Sequence, residues 1–121
     1  MRSFNKTINI ELYGCKLKFT VTDDITSEVS KLFKKNKIND VFDGGAEGIM
    51  ISFEMDCYNL IIDEECLSHN TIAHEIYHVV VRITEDRNIN DEESQAWLCG
   101  NITEVIYKFL ESKKLKIKHG K

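Results

Sequence analysis

The sequence predicts a small α+β domain with elements in the order β-β-α-β-β-α-α, and three observations predict it. Two pairs of stretches alternate apolar and polar residues with a period of two. Three other stretches carry apolar residues at three- and four-residue spacing, the signature of amphipathic helices. The chain's 121 residues supply one core and little room for another, so residues 1–121 are expected to form a single domain.

In chain order, Thr7 to Leu12 sets Ile8, Ile10 and Leu12 against polar neighbours, as a half-buried strand does. Tyr13-Gly14 reads as a turn, and Cys15, Leu17, Phe19 and Val21 resume the alternation, predicting a hairpin. Asp24 or Thr26 can cap a helix whose Ile25, Val29, Leu32 and Phe33 share one face. Lys34, Lys35 and Lys37 match the negative end of that helix's dipole. Gly44, Gly45 and Gly48 belong to no Gly-rich phosphate motif, and the segment reads as a flexible turn.

Ile49, Ile51, Phe53 and Met55 then alternate, and beyond a Met55-Asp56 bend Tyr58, Leu60 and Ile62 alternate too, predicting a second hairpin. A helix from about Asn70 to Asp86 follows, capped by Ser68 or Asn70, with Ile72, Ile76, Val79, Val80 and Ile83 in one stripe. The last helix opens in the run Asp91–Leu98 and buries Leu98, Ile102, Val105, Ile106 and Phe109. Lys113 to Lys121 is a basic tail expected to fray in solvent.

Composition excludes several function classes. With 42% apolar and 30% charged residues the chain is ordinary for a soluble globular domain. A net charge of −4 argues against a nucleic-acid-binding surface, which normally carries a basic excess. Nothing resembles a signal sequence or a membrane span, so a cytoplasmic protein is expected. Cys15, Cys57, Cys66 and Cys99 form no Cys-x-x-Cys pair and are read as reduced thiols without a role.

The chemistry concentrates in Thr71-Ile72-Ala73-His74-Glu75-Ile76-Tyr77-His78, which contains His-Glu-x-x-His. On a helix, residues four apart stand one turn above each other, so His74 and His78 can offer two imidazoles to one ion. Glu75 projects about a quarter-turn away, within reach of a water held by that ion. Neutral imidazoles suit zinc and the carboxylate suits a proton acceptor, which is the zincin arrangement. At 100° per residue the two histidines lie nearly opposite the Ile/Val stripe, beside Val81 and Glu85, so they face away from the core, toward a solvated face or, as a zincin site asks, a cleft.

Catalytic zinc usually has a third protein ligand. Glu92 and Glu93 stand in the first turn of the last helix, where acidic residues also serve the helix dipole, and Asn90 with Glu93 resembles a capping box. Ala96 and Gly100 share Glu93's side and are small enough for the two helices to approach closely. Periodicity alone does not choose between Glu92 and Glu93.

From Asn59-Leu60-Ile61-Ile62-Asp63 through the Thr-Ile-Ala-His-Glu-x-x-His run to Glu93-x-x-Ala96, the second half of the chain resembles the compact ImmA/IrrE-type metallopeptidases and small phage-encoded zincin relatives. The resemblance implies a minimal zincin-like fold, with a small, mostly antiparallel sheet on an active-site helix. It implies Zn²⁺ held by His74, His78 and Glu93, with Glu75 as general base, a gluzincin set. The implied reaction is hydrolysis of a peptide bond by zinc-activated water, with Glu75 in a partly desolvated cleft. The expected substrate is a protein or peptide lying extended along an edge strand near residues 48–54.

Two departures qualify the resemblance. Thermolysin-like gluzincins carry an acidic residue four positions after the third ligand, where this chain has Trp97, so the site is expected either to bind zinc less tightly or to use another carboxylate such as Asp91. Tyr77, Tyr107 and His119 are the candidate transition-state donors, the plainer reading being a structural role for the two tyrosines and a place in a mobile basic tail for His119. The alternative function is a binding or regulatory protein of a phage or mobile element that recognises a protein partner without cleaving it.

Overall fold

The computed structural model describes residues 2–40, 42 and 46–118. Gly44, Gly45 and His119 lie outside the described residues. The elements follow the expected order: β1 (Ser3–Ile10), β2 (Cys15–Thr22), α1 (Ile25–Lys35), β3 (Gly48–Glu54), β4 (Cys57–Asp63), α2 (His69–Asp86) and α3 (Glu92–Ser112).

Four strands form one mixed sheet in the order β1-β2-β4-β3. β1 with β2 and β3 with β4 are antiparallel hairpins, as expected, while β2 and β4 pair in parallel at the centre, with Phe19 opposite Leu60. The parallel seam exists because α1 carries the chain from β2 across the sheet before the second hairpin begins. β3 is therefore an edge strand, paired on one side only.

The alternation read from sequence sorts the two faces. Leu17, Phe19 and Val21 of β2 and Tyr58, Leu60 and Ile62 of β4 are fully buried against the stripes of α2 and α3. The opposite face is partly covered by α1, whose Ile25 and Val29 pack on Ile61, with Ile49 and Ile51 alongside. Predicted caps form as well: Asp24 accepts from the Ser27 amide at 3.0 Å and Ser68 from the Thr71 amide at 3.1 Å.

Three local expectations are corrected. The first hairpin turns through a 3-10 segment, Glu11–Tyr13, with Gly14 left-handed at φ 63°, so Leu12 is 68% exposed instead of facing the core. α3 is capped by Asp91, whose carboxylate accepts from the Ser94 amide at 2.8 Å, and not by an Asn90–Glu93 box. The Ser94 hydrogen bonds hold the Asp91 carboxyl below its ordinary range, because they stabilise the charged form.

The tail is the third. As far as Lys118 it docks: Leu115 reaches the core, and Lys118 bridges the strand-like backbone at Ser68, its amide donating to the Leu67 carbonyl at 2.7 Å. The Lys118 ammonium also meets Glu65 at 3.0 Å. One buried leucine and one bridge hold the chain just ahead of α2. Among the described residues, no helix is long and apolar enough to cross a membrane.

One end of α2 is locked by a single guanidinium. Arg87 donates to the Tyr13 carbonyl at 3.0 Å, to the Tyr58 hydroxyl at 2.8 Å and to the Met55 carbonyl, joining both hairpin turns. Tyr58 in turn donates to Asp86 at 2.6 Å. Burial, reinforced by that bond to a carboxylate, pushes the Tyr58 phenol up to about 12.

Candidate functional site

α2 runs under the edge of the sheet with two faces of opposite character. Ile72, Ile76, Val79, Val80 and Ile83 are each at most 4% exposed, so the predicted stripe is the buried one. His74 and His78 stand on the outer side, exposed, as the helical wheel requires. Their Nε2 atoms approach to 3.1 Å, with the rings at 75° to each other. At that distance one ring donates its Nε2–H to the other.

That separation also tests whether the pair fits an ion. Two nitrogens bound at zinc's usual 2.0–2.1 Å in a tetrahedral shell stand about 3.3 Å apart. The observed separation is close to that of two corners of such a shell. Glu75, one residue on, is only 8% exposed, and its Oε2 lies 4.0 Å from His74 Nε2.

The three side chains open on a cleft of about 450 Å³ between α2 and β3, walled by Gly48, Ile49, Met50, Val81, Arg82 and Glu85. A smaller cavity of about 190 Å³ continues past Glu75 toward Ala46, Glu47, Asn70 and Thr71. His74, Glu75 and Gly48 border both, so they occupy the waist of one groove along the edge strand.

Glu93 does not join them. Among the described residues, no three His, Cys, Asp or Glu side chains gather to hold a metal ion. The cause is the register of the helix pair. Gln95 reaches Thr84 at 3.5 Å and Tyr107 stacks on His69, so α3 runs antiparallel to α2 from the latter's closed end. α3 passes the level of the histidines near residues 99–103, and Glu93 stands about two turns short of it.

Glu93 is exposed, and so are Ala96 and Gly100, which were expected to let the helices approach. A Cβ added at Gly100 would meet nothing within 4 Å. Large residues, Leu98, Ile102 and Ile106, fill the buried side of α3 instead.

The remaining candidates fall in different places. Tyr77 is 66% exposed and its ring lies 6.3 Å from that of His78, at the rim of the pair. Tyr107 is engaged elsewhere, its hydroxyl 2.8 Å from His69 Nδ1 at the start of α2. Trp97 is half exposed and packs edge-on against Tyr13. Asp91 is occupied as a cap. The cleft residue that sequence reasoning passed over is Arg82, whose signal was its helical phase with His78; Glu85 was already placed beside the histidines, and the position of Gly48 against Glu75 is one that no periodicity reveals. Comparison with known protein families, with curated proteins and with solved structures finds no match.

Proposed function

We propose that this chain is a zinc-dependent peptidase of zincin type, in which His74 and His78 hold the ion and Glu75 is the general base. The observation that carries the reading is the convergence of two imidazole nitrogens at 3.1 Å beside a buried carboxylate, in a groove along an edge strand. When bound, zinc would supply the Lewis acidity that activates water and polarises a carbonyl.

The chain's own residues would do the rest. Glu75 accepts a proton at Oε2 from water in the cleft and returns it to the leaving amine. The open side of β3, Gly48–Glu54, offers backbone N–H and C=O groups that an extended peptide can extend as a further strand. The third ligand in this reading would be a carboxylate, Glu93 as the family resemblance implies or Glu85 of the cleft wall.

A second reading draws on the separation of Glu93 from the two histidines: a zincin-like domain, with a two-histidine site or none, that grips a partner without cutting it. One experiment divides the two. The purified chain is analysed for zinc, and its Glu75→Gln form is used to capture a protein partner, which is then offered to the wild type. Zinc near one per chain, lost in His74→Ala and in His78→Ala, with cleavage of the captured partner, is expected. Unchanged zinc content in the histidine variants removes the ligand assignment, and a captured but uncut partner favours the binding protein.

A further inference from the structure

We propose that Gly48 is the positioning residue that seats the Glu75 carboxylate against the edge strand, an inference that rests on the reading of Glu75 as general base. Gly48 opens β3 with ordinary strand geometry; Gly14 is the only described glycine at positive φ. A glycine weakens a strand and contributes no side chain to packing, so its backbone gives no reason for its presence.

The reason lies across the groove. A Cβ at position 48 would stand 2.9 Å from Glu75 Cγ, 3.2 Å from Cδ and 3.3 Å from Oε2. The first of these is closer than carbon atoms tolerate without movement. Gly48 is held in register opposite Ile62, and α2 is held by Ile72 and Ile76, both 1% exposed, so a backbone shift on either side would disturb a paired or packed contact. Relief comes from rotating the Glu75 side chain, and that rotation carries the carboxylate away from its place near His74. The missing side chain at 48 also keeps the waist between the two cavities open. Gly100, by contrast, faces open space and has no such partner.

The test is a thermal cycle on the full chain with Gly48→Ala, Glu75→Ala and both together, followed by circular dichroism. Gly48→Ala alone is expected to lower Tm by about 3–6 °C. In the Glu75→Ala background the same change should cost nothing or raise Tm, because the atoms it strikes are gone. An equal loss in both backgrounds overturns the proposal by placing the cause in the strand itself.

Zinc content and kinetics give the functional arm. Gly48→Ala should retain zinc while kcat on a cleaved partner falls about 100-fold, the scale of a misplaced catalytic group. Loss of zinc together with activity overturns the positioning role. A wild type that neither binds zinc nor cleaves defeats the peptidase reading, while the melting cycle still decides whether Gly48 seats Glu75.

Discussion

Glu75 and Glu93 are both helical carboxylates that the sequence marks for one site, and they meet opposite surroundings. Glu75 follows His74 on a helix pinned under the sheet by its apolar stripe, and its carboxylate is enclosed between α2 and Gly48. Glu93 stands in the first turn of α3 and points its charge to solvent. A constellation within one or two turns of a helix inherits its geometry from the helix. One that spans two helices depends on their register, which is set by contacts far from the site.

The largest effect is expected on the enclosed member of the pair. Glu75→Gln keeps the shape and removes the proton acceptor, so turnover should fall about 10²–10⁴-fold with zinc content unchanged. Retained hydrolysis in that variant takes Glu75 out of the mechanism.

An intermediate effect concerns the exposed member. Zinc affinity, measured by competition with a chromogenic chelator, should weaken by at least about 10-fold in Glu93→Ala and hold steady in Glu85→Ala. The reverse result would assign the third corner to the cleft wall of α2 itself, and the contrast between the two carboxylates would lose its meaning.

The smallest effect sharpens the contrast from the far end of α2, where Tyr58, Asp86 and Arg87 tie the helix to β4 and the hairpin turns. The folded Tyr58 phenol is raised from 10.0 to about 12, so folding favours its neutral form. Its stabilising contribution is complete below pH 10 and is lost as pH rises through about 12. Tyr58 should resist ionisation in an ultraviolet titration until the alkaline unfolding transition. A Tyr58 that ionises near pH 10 in the native protein would mean that this end of the helix is loosely held.

Much of the fold was legible because each element's pattern is local. The stripe of α2, the alternation of β2 and β4 and the caps at Asp24 and Ser68 all follow from side-chain period and from unpaired amides at helix ends. Where local pattern misled, a longer-range contact decided. Leu12 continued an apolar alternation, yet the chain had already turned into a 3-10 segment. The tail read as solvated lysines, but Leu115 between them finds the core and Lys118 finds the backbone before α2.

The sequence by itself determined the elements, their order, the buried face of each helix and the facing of His74 and His78, because a four-residue spacing on a helix leaves one outcome. Only the tertiary structure decided that β2 and β4 run in parallel and that Gly48 lies against Glu75, whereas the edge position of residues 48–54 was already expected. It also decided the register of α3 against α2, which leaves Glu93 apart from the two histidines. Those outcomes depend on which apolar surfaces pack together and in what register, and that free energy is distributed over residues remote from any motif.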